Sequence, residues 1–153
     1  MDVKYINPLL SGTRNVFMTM AQIDLTPGKP YLKKDREAQG DISAILGLTG
    51  EVEGSLSVSC TQQLICQAVT NMLGELFQEI DDDVKDAMGE LANMISGDAR
   101  RILSENGLTI KGGIPTIISG TNHGVRHFTS GPVIAIPFEC AFGHLTVEVA
   151  FSA

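Results

Sequence analysis

Asp86, Glu90 and Asn93 follow one another at intervals of four and three residues, with Gly97 continuing the series. That spacing puts all four on one face of a helix. Two carboxylates supply charge and acceptor oxygens, and the Asn93 amide supplies a donor and an acceptor on one group. Gly89, Ser96 and Gly97 lie in the same sector, although glycine inside a helix costs about 1 kcal/mol relative to alanine. An ordinary solvated face would carry Lys, Glu, Gln or Arg at those places. Small residues beside a carboxylate and an amide describe a surface shaped for close approach by another macromolecule.

Other residues of metal-binding or catalytic type do not assemble from their spacing. His123 and His127 stand four apart, which suits a metal only on a helix. Residues 120–131 read as a polar loop, so these are expected to be unremarkable histidines. Asp81-Asp82-Asp83 has charge enough for calcium but lacks the spaced oxygens and terminal glutamate of an EF-hand loop. Gly112-Gly113 and Gly120 lack the lysine-serine ending and following helix of a phosphate loop. No Ser/His/Asp arrangement follows from spacing, and no metal site is expected.

The element that positions Glu90 and Asn93 is a helix over residues 81–106. Val84, Met88, Leu91, Ile95, Ala99 and Ile102 form its buried stripe, roughly 160° around from the Asp86–Gly97 face at ~100° per residue. Aspartates suit its N-terminus, and Asn106-Gly107 stops it. Before it, Asn7-Pro8 signals a helix start with proline at the first helical position, and Leu9, Leu10, Thr13, Phe17 and Met20 carry that helix to about Gln22. Residues 26–38 hold two prolines and read as a connecting loop that begins or ends in extended structure. Residues 40–49 and 54–60 alternate as a hairpin turning at residues 50–54. Thr61 caps a second helix that ends near Gly74. Residues 114–118 form a strand that Pro115 confines to an edge or a strand start. Residues 132–140 and 144–152 close the chain as a hairpin. The order is helix, hairpin, helix, helix, hairpin: an α+β fold with an antiparallel sheet from hairpins packed with helices. Two pseudo-symmetric helix-hairpin halves flank a middle helix, as after an internal duplication.

The chain has 153 residues, enough for one domain with a substantial core. A net charge of −7 argues against nucleic acid as the main partner, because phosphate binding needs a basic surface. No apolar run reaches the ~20 residues of a membrane span, and the start MDVKYINPLL is not a signal peptide. Cys60, Cys66 and Cys140 are odd in number and form no CxxC. Three packed thiols fit a reducing, cytoplasmic setting.

The segment around Asp86, Glu90 and Asn93 resembles the CheC/CheX/FliY family of chemotaxis phosphatases. Their motif is an acidic residue or serine, then ExxN, then a distant proline, here Asp86-x3-Glu90-x2-Asn93 with Pro115 downstream. Asn7-Pro8-Leu9, Gly28-Lys29-Pro30 and Met72-Leu73-Gly74-Glu75 also look like CheX, so the resemblance covers most of the chain. Pro115 falls one residue closer to Asn93 than the family spacing. The resemblance implies a phosphatase acting on the aspartyl phosphate of a CheY-like receiver, which supplies the acid pocket, a lysine and the bound Mg²⁺. This chain would bind no cofactor. Asn93 would orient the attacking water and Glu90 would pair with the receiver's lysine. Asp86 would support docking or orient Glu90, on the surface shared with Gly89 and Gly97. The alternative is a non-catalytic receiver-binding or scaffold module of the same fold.

A second active face on the first helix would need a glutamate three residues before Asn15, where Gly12 stands, so one active helix per chain is expected. Gly89 and Gly97 have a rival explanation, close packing against the first helix. A homodimer joined through strand edges, such as residues 114–118, is expected to leave the Glu90–Asn93 faces free.

Overall fold

Ile42, Ala44, Leu46 and Leu48 alternate with Ser43, Ile45 and Gly47, and a run with that period has two distinct faces. It forms β3 (Ile42–Gly50), which pairs antiparallel with β4 (Gly54–Cys60) from Ile42 opposite Cys60 to Leu48 opposite Gly54. The computed structural model describes residues 3–35, 40–120, 123–125, 127 and 131–152. Along them run α1 (Val3–Ala21), β1 (Thr26–Pro27), β2 (Tyr31–Lys33), β3, β4, α2 (Gln62–Leu73), α3 (Asp82–Glu105), β5 (Ile110–Gly112), β6 (Thr116–Ser119), β7 (Val133–Cys140) and β8 (Gly143–Phe151). The strands make one open antiparallel sheet in the order β1-β7-β8-β4-β3-β5, with β2 also on β7 and β6 also on β3.

Each half therefore reads helix, two short strands, hairpin, with α2 between the halves. The short strands are exchanged: β1 and β2 of the first half pair with β7 of the second, and β5 and β6 of the second pair with β3 of the first. The hairpins meet at the centre, where β4 runs against β8.

The helices cover one sheet face. Ile42, Leu46, Leu56, Ile136, Phe138, Leu145 and Val147 meet Phe17, Leu64, Met88, Leu91 and Ile95 in one core, each fully or almost fully buried. Burial of such a side chain contributes about 1.5–3 kcal/mol. α1 crosses α3 at Gly12, where an added Cβ would lie 3.3 Å from the Ile95 carbonyl oxygen and 3.5 Å from the Ala99 nitrogen. Glycine lets the two helix backbones come this close without the neighbours having to give way by a few tenths of an ångström.

Local signals set most element ends. Thr61 caps α2 by accepting a hydrogen bond from the Leu64 N–H at 3.3 Å, and Gly74 ends it in the left-handed conformation. Asp81 caps α3 through the Val84 N–H at 2.9 Å. The start of α1 differs from expectation: the helix begins at Val3 and keeps Pro8 inside it. The first turn is held by tertiary contact, with Ile6 buried and the Tyr5 ring 4.3 Å from that of Phe151. That packing outweighs the hydrogen bond proline removes. The strand expected over residues 114–118 begins only after the proline, at Thr116, and Ile114 is 92% exposed. The connecting loop over residues 26–38 contains β1 and β2, and its residues 36–38 lie outside the described residues.

Candidate functional site

The outward face of α3 is built on a helix 24 residues long whose opposite side is locked in the core. Val84, Met88, Leu91, Ala92, Ile95, Ser96, Ala99 and Leu103 are its buried residues. Ile102, expected among them, is half-buried, and Leu103 takes the deeper place. Ser96 is the other correction. It lies at 2% exposure and accepts a hydrogen bond from Arg100 Nε at 3.0 Å, so it belongs to the packed side.

Asp86, Glu90 and Asn93 are exposed and share one face. Among the described residues none of the three makes a side-chain hydrogen bond or ion pair with the rest of the chain. Glu90 and Asn93, one turn apart, put a carboxylate and an amide about 5–6 Å from each other at their Cβ atoms. Arg101, by contrast, is tied to Asp98 at 2.9 Å and Glu105 at 3.0 Å. A charge and an amide left unpaired on a rigid element are available to a partner without any bond in the chain having to break.

Gly89 and Gly97 are half-buried, and neither packs closely on α1. A Cβ at Gly89 would meet Ile117 Cδ1 of β6 at 3.7 Å, and at Gly97 only the Arg100 guanidinium at 3.8 Å. Helix crossing uses Gly12 instead. The glycines of α3 therefore leave open surface beside Asn93. Gly97 borders a shallow groove with Asn15, Val16, Thr19 and Met94. The Gly113-Ile114-Pro115 connection leads from Gly112, against Arg100, to the strand that carries Ile117, against Gly89.

A second constellation escaped the sequence reading. On the sheet face away from the helices, His127 Nδ1 meets Ser55 Oγ at 2.5 Å and its Nε2 meets Glu148 Oε1 at 3.1 Å. Lys33 Nζ donates to Glu148 Oε2 at 2.7 Å. His127 is buried, so it is not the unremarkable loop histidine expected. His123 Nε2 meets Ser43 Oγ, which also bonds Ser59 Oγ. The two histidines thus address separate serines, not one metal, and no group of three or more His, Cys, Asp or Glu among the described residues is arranged to hold one. Residues 121, 122, 126 and 128–130 of that loop lie outside the described residues.

Burial alone raises the Glu148 carboxyl, but the hydrogen bonds and charges of His127 and Lys33 outweigh it and hold the group below the usual carboxylate range. The Ser55–His127–Glu148 sequence has the members of a nucleophilic triad, yet Ser55 is wholly buried and no substrate reaches its oxygen. Its work is structural, clamping His127 to the sheet. The available signal was a glutamate inside the apolar run of β8, a strand with neighbours on both sides, where a charge needs a partner. Burial first, with Asp41 and the other cysteines nearby, pushes the Cys60 thiol up, and burial does the same at Cys66. Both stay protonated and unreactive.

Residues 42–139 match the family model described as chemotaxis phosphatase CheX. The chain is 27% identical over 138 residues to the CheY-P phosphatase CheX of Thermotoga maritima, covering 90% of this chain and 88% of the relative. A chemotaxis protein CheX of Desulfovibrio desulfuricans has a similar solved structure, with TM-score 0.90 and 47% identity over 97% of this chain and 99% of that one. A Borrelia burgdorferi CheX, solved in complex with CheY, beryllium trifluoride and Mg²⁺, has the same fold at TM-score 0.77 and 24% identity, covering 97% and 98% of the two chains.

Proposed function

Because the chain belongs to the CheX family of chemotaxis phosphatases, we propose that it hydrolyses the aspartyl phosphate of a CheY-like response regulator. Water attacks phosphorus, the bond to the receiver's aspartyl oxygen breaks, and inorganic phosphate and a free carboxylate are released. No nucleophile from this chain enters that balance. Phosphoryl transfer is governed by positioning and electrostatics, so an amide that fixes the water in line is sufficient from the phosphatase side. Asn93 has that role: its carbonyl oxygen accepts from the water and its NH₂ donates toward the phosphoryl oxygens. Glu90 pairs with the receiver's lysine and sets the register of α3 against the receiver. Asp86 supports the docking, and Gly89 and Gly97 keep the surface low enough for the receiver to approach. Mg²⁺ is held by the receiver, and this chain binds no cofactor.

One observation carries the reading: Asp86, Glu90 and Asn93 stand exposed on one face of a core-anchored helix with no side-chain bond to the rest of the chain among the described residues. The Borrelia burgdorferi complex with CheY supports the choice of partner, as does the activity named for the Thermotoga maritima relative. The test is release of phosphate from a phosphorylated CheY-like receiver by the native chain and by Asn93→Ala. Loss in the variant with receiver binding retained supports the assignment. A native chain that binds the receiver and does not speed hydrolysis would establish the binding-module reading instead.

The same reading places the chain in the cytoplasm, where its free thiols are at home, and pairs it as a homodimer through sheet edges. No helix among the described residues is long and apolar enough to cross a membrane.

A further inference from the structure

Between β5 and β6 the sheet edge gains a residue. Leu48 of β3 faces Gly112 and Ile45 faces Thr116, so Leu46 and Gly47 alone oppose Gly113, Ile114 and Pro115. The Gly113 N–H donates to the Gly47 carbonyl at 2.8 Å and holds the segment on the edge. This is a β-bulge, a device that re-aims side chains at sheet edges. It changes which residues face the helices: Gly112 before it, against Arg100, and Ile117 after it, against Gly89. An unbroken strand would turn Ile114 toward the helices along with Ile110 and Gly112. Instead Ile114 is 92% exposed, the most exposed large apolar side chain among the described residues.

The same contacts place Ile114 along α3. From Gly112 to Ile117 the chain advances about 16 Å. α3 rises about 16 Å from Arg100 back to Gly89, so the two segments run side by side in opposite directions. Ile114 and Pro115, between the two contacts, are thereby level with the turn of α3 that carries Asn93. The backbone there is preset, because a residue before proline is confined to extended conformations. An apolar side chain is thus held out with little left to order when a partner arrives. Neither β5 nor β6 includes Ile114, and Pro115 has no N–H to offer. A strand from another copy of the chain has no ladder to join at this point.

We propose that Ile114 is an apolar docking contact for the CheY-like receiver, seated against an apolar patch that borders the receiver's phosphoryl pocket, and that it helps decide which receivers are accepted. The proposal rests on the reading of α3 given above and continues that face onto the sheet edge. A receiver whose lysine pairs with Glu90 and whose phosphoryl group reaches Asn93 lies over the flank beside Ile114. Covering the isoleucine is favourable in proportion to the apolar area removed from water. A receiver with a charge at that place would have to desolvate it without a partner, and is selected against.

Titration calorimetry of the full chain with a CheY-like receiver loaded with beryllium trifluoride and Mg²⁺ reads the contact without requiring turnover. Ile114→Leu is expected to bind within about twofold of native, and Ile114→Ala and Ile114→Gln about tenfold more weakly, the scale of one apolar side chain left uncovered. The loss persists as salt is raised, because no charge has been removed. On phosphorylated receiver, kcat stays within about twofold of native while KM rises, since Asn93 is untouched. Urea midpoints remain native, because the side chain is exposed. Native affinity in Ile114→Ala and Ile114→Gln overturns the proposal. So does a change from dimer to monomer in light scattering with receiver affinity kept, which would assign Ile114 to a second copy of the chain. Native turnover in Asn93→Ala would strike instead at the role of Asn93 and leave the Ile114 affinities as they are, so the two failures are distinguishable.

Discussion

At Asn93 the important property is the combination of an unpaired amide with a helix anchored in the core. Both amide atoms are free to bond one water and one phosphoryl oxygen, and α3 carries them at fixed height above the sheet. Asn93→Ala is expected to lower turnover on phosphorylated receiver by about a hundredfold or more, the scale of a lost positioning contact, with receiver affinity within about twofold of native. Full turnover in the variant would remove Asn93 from the mechanism. Glu90 acts through charge instead. Glu90→Lys is expected to weaken receiver binding by on the order of tenfold at low salt, and the loss should shrink as salt screens the contact. Affinity unchanged at low ionic strength would show that Glu90 is not the anchor. Periodicity alone was enough to find this face, because an exposed helix stripe depends only on the ~100° step and not on neighbours. Ser96 was misread for the converse reason: it lies among residues distant in sequence, such as Leu9 and Leu48, and no spacing shows that.

Among the elements, the crossing of α1 and α3 is the tightest constraint on the site. A β-branched side chain at Gly12 would press on the Ile95 carbonyl oxygen. Gly12→Val is expected to destabilise the chain by about 1–3 kcal/mol, the usual range for overpacking, as a lower urea midpoint. A midpoint at or above native would show that the helices have room to separate. The two hairpins and the ends of α2 and α3 were legible because caps and strand alternation are local: Thr61, Asp81 and Gly74 each act within a few residues. The start of α1 was not, since the contact that keeps Pro8 inside a helix comes from Phe151. Nor was the serine-rich face of β3 and β4. Ser43, Ser55, Ser57 and Ser59 alternate like a solvated surface, yet all are buried, and two of them, Ser43 and Ser55, bond histidines distant in sequence, His123 and His127.

For the molecule as a whole, Glu148 joins β2, β8 and His127 in one buried polar group. Its folded-state pKa lies below the unfolded value of about 4.3, so its contribution is complete above that pH and is lost as pH falls through the folded value. Glu148→Gln is expected to be less stable than native at pH 7, and the gap in urea midpoint should close as pH is lowered below about 4. A gap independent of pH would mean that the carboxylate's charge is not what stabilises. At the next level of assembly, light scattering is expected to give twice the monomer mass at micromolar concentration, and a monomer would refute pairing through sheet edges. The exchange of short strands between the halves bears on how the chain is made. β1 and β2 leave the ribosome long before β7, their only sheet neighbour among the described residues, and β4 waits for β8 to gain its second. The first half thus emerges with unfilled strand edges and cannot finish a sheet by itself. Contacts so far apart in sequence slow folding, and during synthesis those edges are open to pairing with other nascent chains. A translation pause after β4 would prolong that exposure, whereas one between β7 and β8 would leave unfilled the two edges, of β4 and of β7, that β8 joins.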